Sequence, residues 1–298
     1  MGEAIQRRPD GPGDPPDGSV EAAAPAVADA VLAVASSIRY VAVSVAGVLV
    51  TRVAAGRAQA SGEESDWYEE RLVNPTILDL TSRRGEIGCG GLDYVVVRYG
   101  HFFQLLVPAT AGHVSACVEP DANPVELAPA VFSASGAVGS VMRQPAAREP
   151  GSALAREPFV WGDRPAAATR RLLGALYAVS DEVRYVALRG HGRLLLSSRV
   201  GDPATETDRS DRYEELLVNP TLLAIAGARG AIDCGGLRFL AIAYGAFFAL
   251  VLPTTGGHAT ISLPRSADPV VRAPAFEAVL ARQASVPRSG GRHVGRRS

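Results

Sequence analysis

Residues 68–76 of the 298-residue chain read YEERLVNPT, and residues 213–221 read YEELLVNPT. The same shift of 145 residues relates CGGL at 89–92 to CGGL at 234–237. No gap is needed to align residues 30–131 with the second copy. Self-similarity at one fixed offset indicates that the chain contains two copies of one supersecondary unit.

The composition is that of a globular protein. Hydrophobic residues make up 47% of the chain and charged residues 20%, so sizeable cores can be buried. The 30 basic and 31 acidic residues give a net charge of −1, so no whole-chain field favours nucleic acid or an anionic membrane. Every basic side chain is an arginine, which excludes lysine Schiff-base chemistry and a P-loop lysine. The bias towards Ala, Gly and Arg is typical of GC-rich bacterial genomes.

The sequence predicts a cytoplasmic protein without a membrane partner. No apolar segment follows the N-terminal arginines at the distance typical of a signal peptide. The longest apolar run, 239–252, is shorter than the ~20 residues that a spanning helix needs, and it contains Tyr244-Gly245 at its centre. Three cysteines are too few for a disulfide framework in a chain of this length.

Composition also divides the chain into segments. Residues 1–19 are rich in Pro, Gly and Asp and are predicted to be a disordered N-terminus. Residues 144–165 contain four prolines and are predicted to be a linker. Residues 285–298 are predicted to be a basic disordered tail. The two copies then occupy residues 20–143 and 166–284.

The second copy shows the pattern of helices and strands most clearly. It predicts a helix, a β-hairpin, a long helix broken at Asn219-Pro220, three antiparallel strands and a closing helix. Asp66 and Asp211 each begin the pattern D-x-x-E, which predicts that a helix starts at each of them. The resulting fold class is α+β, with a five-stranded antiparallel sheet flanked by helices in each unit, in the order α-β-β-α-β-β-β-α.

This element order, the size of each copy and the Gly-Gly-Leu lead into a three-stranded meander resemble the roadblock (dynein light-chain) family, including bacterial regulators of Ras-like GTPases. The resemblance covers nearly all of each copy. It implies two tandem roadblock-like units that act as a protein-interaction scaffold or regulator, with a small Ras-like GTPase as partner. The Asn-Pro in the central helix departs from the uninterrupted helix of that family.

The strands predicted at 92–99 and 237–244 are almost wholly apolar. In the resembled fold this strand lies at the edge of the sheet, and an unpaired apolar edge invites aggregation. We therefore expect the two strands to pair within the chain. The pairing would create one continuous sheet around a pseudo-twofold axis, like a family homodimer fused into one chain.

The repeated Tyr-Glu-Glu segments predict a nearly symmetric partner-binding surface on the two broken helices. Its members are Trp67, Tyr68, Glu69, Glu70 and Arg71 in the first copy and Arg212, Tyr213, Glu214 and Glu215 in the second. The copies differ where Trp67 and Arg71 correspond to Arg212 and Leu216, so one asymmetric partner could distinguish the halves. The alternative is a solvated helix start, where the helix dipole favours carboxylates.

A row of polar residues marks one face of the last strand in each copy. His113 and Ser115 in the first copy, and His258 and Thr260 in the second, alternate with apolar residues. We expect this row to face the broken helices, which carry Asn74 and Asn219. The row then forms either a hydrogen-bonded shelf or a small-ligand pocket.

No catalytic or metal-binding group emerges from the remaining candidates. Cys89 and Cys234 precede strands and are predicted to lie too far from His113 and His258 for a dyad, which favours buried structural thiols. His113 and Cys117 supply only two metal ligands. The sequence thus favours a non-catalytic protein without a cofactor. The alternative is a small-ligand sensor, or an undetected enzyme that uses the Cys/His and polar-strand residues.

Overall fold

A computed structural model describes residues 18–55, 63–140, 142, 159–161, 167–190, 192–198 and 208–284. The predicted disordered tail lies outside these residues. Most of the predicted disordered N-terminus also lies outside them, but Gly18 already belongs to the first helix. Among the described residues, no helix is both long and apolar enough to cross a bilayer.

The helices and strands follow the predicted order in both copies. The first copy contains α1 (Gly18–Leu32), β1 (Ile38–Val45), β2 (Val48–Val53), α2 (Glu63–Tyr68), α3 (Asn74–Glu86), β3 (Leu92–Tyr99), β4 (Phe103–Ala109), β5 (Gly112–Val118) and α4 (Pro124–Ala134). After β6 (Phe159–Trp161), the second copy contains α5 (Ala167–Tyr177), β7 (Tyr185–Gly190), β8 (Arg193–Ser198), α6 (Asp208–Tyr213), α7 (Asn219–Asp233), β9 (Leu237–Tyr244), β10 (Phe247–Thr254), β11 (Gly257–Pro264) and α8 (Pro269–Ala284).

Within the described residues, the strands form one antiparallel sheet of eleven strands in the order β2-β1-β5-β4-β3-β9-β10-β11-β7-β8-β6. At its centre β3 pairs with β9, so that Val95 lies opposite Ile242 and Val97 opposite Leu240. The predicted pairing of the two apolar strands is therefore confirmed. The strand β6 was not predicted: it falls inside the segment predicted as a linker and pairs with β8 at the sheet edge.

Helices cover both faces of the sheet, and both hydrophobic cores run across the boundary between the copies. On one face, Phe132 from α4 and Phe276 from α8 belong to the same cluster of buried side chains. On the other face, Ile77 from α3 and Leu222 from α7 belong to a second cluster. The structure is thus an α+β protein with one continuous sheet and shared cores.

Each long helix contains a five-residue π-helical turn just before Asn-Pro. These π turns are Glu69–Val73 between α2 and α3, and Glu214–Val218 between α6 and α7. Pro75 and Pro220 have no N–H, and a proline ring inside a helix crowds the carbonyl four residues earlier. Just before each proline the helix widens: Asn74 N–H donates to the carbonyl of Glu69 and Asn219 N–H to that of Glu214, each five residues back. The predicted break is therefore a widened turn in a continuing helix, and we call α2–α3 and α6–α7 the broken helices.

The repeated Cys-Gly-Gly and Tyr-Gly motifs meet each other across the two copies. Gly100 N–H donates to the carbonyl of Gly236 at 2.8 Å, and Gly245 N–H donates to the carbonyl of Gly91 at 3.0 Å. A Cβ on Gly100 would collide with the carbonyl oxygen of Gly235. These glycines allow the two backbones to approach closely at both ends of the central strand pair.

Candidate functional site

A buried arginine near the end of each broken helix reaches carboxylates of the other copy. Arg84 Nε donates to Glu214 Oε2 at 2.7 Å, and Arg84 Nη2 donates to Asp211 Oδ1 at 3.2 Å. Arg84 and Glu214 are both buried. The two copies are therefore joined by ion pairs in addition to the central strands.

The equivalent arginine of the second copy makes the same kind of contact with the first copy. Arg229 Nε donates to Glu69 Oε2 at 2.9 Å, and Asp66 lies 3.9 Å from the same guanidinium group. Arg229 also bonds Asp233 within its own helix. The predicted helix starts at Asp66 and Asp211 are wrong, because α2 begins at Glu63 and α6 at Asp208. Both aspartates lie inside these helices, within reach of the arginine of the other copy.

Burial raises the pKa of the glutamates in these clusters. The pKa of Glu69 rises to about 8 and that of Glu214 to about 7, because loss of hydration outweighs the attraction of the arginines. The neighbouring carboxylates, Glu70 and Glu215 among them, add to the increase. Each guanidinium faces more than one carboxylate, so each cluster favours a proton on its glutamate, Glu69 or Glu214.

The next glutamate in each π turn contacts the polar row of the sheet. In the first copy His113 Nε2 lies 2.8 Å from Glu70 Oε2, and Ser115 Oγ donates to Glu70 Oε1 at 2.6 Å. All three side chains are buried. The prediction that this row faces the broken helix is confirmed.

The second copy repeats this arrangement with one additional bond. His258 Nε2 lies 2.6 Å from Glu215 Oε2, and Thr260 Oγ1 donates to the same oxygen at 2.8 Å. Asn219 Nδ2 donates to Thr260 Oγ1 at 3.1 Å. The equivalent Asn74 is buried, and its amide has no hydrogen-bond partner among the described residues. The two copies therefore differ in how their asparagines are satisfied.

The prediction that the Tyr-Glu-Glu residues form an exposed binding surface is wrong for the four glutamates. Glu69, Glu70, Glu214 and Glu215 are each 5% exposed or less. The alternative of a solvated helix start is wrong for the same reason. The arginines of the other copy and the histidines of the sheet contact these carboxylates in the interior. Oε1 of Glu69 and Oε1 of Glu214 are buried without a hydrogen-bond partner among the described residues. These side chains are therefore not available to a partner in this conformation.

The outer side of the broken helices exposes large apolar side chains. We call them the apolar rim: Trp67, Leu72, Ile87, Leu216, Leu217 and Ile232, each 45–60% exposed. Leu72 and Leu217 occupy equivalent positions in the two copies, whereas Trp67 and Leu216 have no apolar equivalent. Of the predicted surface, Trp67 belongs to the rim.

The other predicted surface residues lie beside the rim. Tyr68, Arg71, Arg212 and Tyr213 are half-buried. Arg71 Nη2 donates to the carbonyl of Gly47 at 3.2 Å. Leu72, Leu217 and the two isoleucines were not predicted to belong to this surface, although the leucines stand in both copies between the glutamates and Asn-Pro. That repeated leucine was the available signal.

All three cysteines are buried and lie outside any disulfide bond, and burial was predicted for Cys89 and Cys234. Arg84 Nη1 donates to Cys89 Sγ at 2.7 Å. Burial raises the pKa of Cys117 well above its ordinary value and that of Cys234 to about 12. The thiols of Cys117 and Cys234 are thus protonated at neutral pH, which makes them poor nucleophiles.

Comparisons with protein-family models, with curated proteins and with solved structures found no match for this chain. The contacts described above are therefore the basis for any functional proposal. Two features stand out: the buried polar clusters that join the copies, and the apolar rim that lies outside them.

Proposed function

We propose that this chain is a non-catalytic interaction module that binds a protein partner through the apolar rim. The observation that carries the proposal is the exposure of six large apolar side chains along the two broken helices, with Ile87 directly after the end of α3. Single exposed apolar residues are common, but several of them along two helices that contact each other are typical of an interaction surface. The predicted roadblock-like units supply the architecture for this proposal, with both units acting as one platform.

The buried clusters give the rim a rigid support. Leu72 lies in the π turn that contains Glu69, and Trp67 lies in α2 just before it. The carboxylate of Glu69 is bonded to Arg229 of the other copy. Leu216 and Leu217 lie in the π turn that contains Glu214, bonded to Arg84. A surface that is ordered before binding loses less conformational entropy when the partner docks.

Differences between the copies favour one asymmetric partner over two identical ones. Trp67 and Arg71 in the first copy correspond to Arg212 and Leu216 in the second. Tryptophan and arginine are the residues most often found to dominate binding energy at interfaces. The half that carries Trp67 is therefore proposed as the main anchor.

The resemblance to bacterial regulators of Ras-like GTPases names the proposed partner class. We would test it by recovering proteins from a bacterial lysate on the immobilised chain, with GDP and with a non-hydrolysable GTP analogue. Recovery of a small GTPase that depends on the nucleotide would support the proposal. Recovery that ignores the nucleotide would contradict the GTPase assignment but leave a protein partner in place.

Variants locate the binding surface. Leu72→Ser combined with Leu217→Ser should abolish recovery, because it removes the equivalent leucines from both halves of the rim. The matched control is Val271→Ser on α8, where the residue is 66% exposed on the other sheet face. If the leucine variant still recovers the partner, or if Val271→Ser loses it, the rim is not the binding surface.

A small-ligand sensor is the second candidate, and one observation favours it. The amide of Asn74 is buried without a hydrogen-bond partner among the described residues, next to the cluster of Glu70 and His113. A buried polar group of this kind is usually satisfied by water or a ligand. Native mass spectrometry of the purified protein tests this candidate, since a small molecule released only on unfolding would support it.

A further inference from the structure

Two equivalent aromatic pairs lie on the sheet face opposite the broken helices. Phe248 and Tyr94 have ring centroids 6.2 Å apart, and Phe103 and Phe239 have centroids 6.3 Å apart, both in edge-to-face geometry. Phe248 corresponds to Phe103, and Phe239 to Tyr94, at the shift of 145 residues. The duplication has therefore preserved the aromatic geometry in both halves.

An arginine stacks on the equivalent phenylalanine in each half. The guanidinium carbon of Arg265 lies 4.4 Å from the ring centroid of Phe248, and that of Arg98 lies 4.4 Å from the centroid of Phe103. The two arginines do not occupy equivalent sequence positions, yet each lies at the same distance from the equivalent phenylalanine ring of its half. Each half thus holds one cation over one aromatic face.

The two arginines differ in their carboxylate partners. Arg265 Nη2 donates to Asp93 Oδ2 at 2.8 Å, and Asp93 is fully buried. In the other half, Nη1 of Arg98 is buried and has no hydrogen-bond partner among the described residues. The position equivalent to Asp93 is Arg238, whose guanidinium is engaged by Glu277 at 2.9 and 3.0 Å. One half therefore contains an internal carboxylate that the other half lacks.

A crevice of about 420 Å³ opens where that carboxylate is missing. Arg98 lines it together with Phe103 and Phe239 from the sheet and Val270 and Pro274 from α8. Its volume is within the range of small-molecule sites. Polar side chains, Asn123 and Arg238 among them, line it beside the apolar ones. Burial and the nearby Arg238 lower the pKa of Arg98, although the charge of Glu277 acts in the opposite direction, so a bound anion would further favour the charged form of Arg98.

We propose that this crevice binds a small organic carboxylate, which pairs with Arg98 as Asp93 pairs with Arg265. The apolar body of the ligand would lie against Phe239, Val270 and Pro274. Asp121 and Glu277 also line the crevice, and their charges disfavour a second negative group on the ligand. The favoured ligand is therefore an aromatic or short aliphatic monocarboxylate.

Isothermal titration calorimetry with benzoate tests this site on the full chain. Benzamide is the neutral isostere, and it should bind about tenfold more weakly or worse, because charge-assisted hydrogen bonds are the stronger ones. Arg98→Met should weaken benzoate binding by a similar factor. Arg83→Met is the matched control, since Arg83 lies on an exposed helix face and bonds Asp79 there; it should leave benzoate binding unchanged.

A second variant keeps the test decisive if Arg98→Met fails to fold. Glu277→Gln removes a carboxylate that competes for the arginines, so it should strengthen benzoate binding about threefold or more. The proposal is overturned if wild-type protein does not bind benzoate, if benzoate and benzamide bind equally, or if a folded Arg98→Met binds as wild type does. Weaker or unchanged binding by Glu277→Gln also counts against it.

Discussion

Nε of Arg84 lies 2.7 Å from Oε2 of Glu214, and this contact joins α3 of the first copy to the π turn of the second. Arg229 and Glu69 repeat it in the opposite direction at 2.9 Å. A buried charge that loses its partner is left uncompensated in a medium of low polarity. The reciprocal ion pairs therefore make each copy depend on the other.

At a pH above 7, where Glu214 is ionised beside Arg84, replacing Arg84 with methionine should lower the free energy of unfolding by about 3–5 kcal/mol, because the buried carboxylate of Glu214 is left unpaired or must take up a proton. Urea unfolding followed by circular dichroism measures this. The neighbouring variant Arg83→Met removes only an exposed ion pair with Asp79, and it should cost less than about 1 kcal/mol. If Arg84→Met and Arg83→Met lower the free energy of unfolding equally, the ion pair between the copies does not stabilise the protein more than an exposed pair does.

The raised pKa of Glu69 predicts a pH dependence of stability. The folded protein holds this proton up to about pH 8, whereas the ordinary value is 4.5. The folded state therefore binds the proton more tightly than the unfolded state, and this contribution is lost as pH rises from 4.5 to 8. Wild-type stability should fall relative to Glu69→Gln across this window, by up to about 1.4 kcal/mol per pH unit. If the free energies of unfolding of wild type and Glu69→Gln change with pH in parallel, the pKa of Glu69 is not raised.

Gly100→Ala should destabilise the protein by about 1–3 kcal/mol, because the added Cβ would meet the carbonyl oxygen of Gly235 in the other copy. Gly174→Ala is the control: it lies in α5 with no atom near the added Cβ. That substitution should raise stability by about 0.5–1 kcal/mol, since alanine favours the helix. Thermal unfolding measures both. If Gly100→Ala is as stable as the control, the close approach of the backbones is not required.

Trp67→Ala should weaken binding of a partner recovered as described above by about 2 kcal/mol. The side chain is half exposed, so the free energy of unfolding should change little. Calorimetric titration of the partner measures the loss. Cys89→Ser should bind as wild type does, because the thiol is buried and bonds the guanidinium of Arg84 and the backbone carbonyl of Ile87, so the rim side chains stay in place. The reverse order of effects would favour the ligand or enzyme alternative over the interaction surface.

Much of the fold could be predicted because the signals are local or repeated. The two copies, the element order and the apolar character of β3 and β9 are all visible in the sequence, and together they led to the central strand pair. The positions of Glu69 and Glu214 could not be predicted in this way. Their partners are arginines of the other copy, and no local pattern records a contact over so long a separation.

One signal for these ion pairs was nevertheless present. Arg84 and Arg229 are related by the same offset of 145 residues, and each is followed by glycine, whereas the five residues before the arginine all differ between the copies. The glycines allow the close approach of the next loop, where a Cβ on Gly85 or Gly230 would crowd the backbone before the following strand. A repeated charged residue in a duplicated helix is thus a candidate for a contact between the copies.

A chain that is cut between its copies tests most directly whether they form one body. A specific protease site inserted within residues 144–158 would allow cleavage of the folded protein, followed by size-exclusion chromatography with light scattering in native buffer. The shared cores, the central strand pair and the reciprocal ion pairs predict that both fragments elute together as one species with the mass of the intact chain. Two folded fragments that elute separately, each with about half of that mass, would contradict the joint platform and the interaction surface built on it.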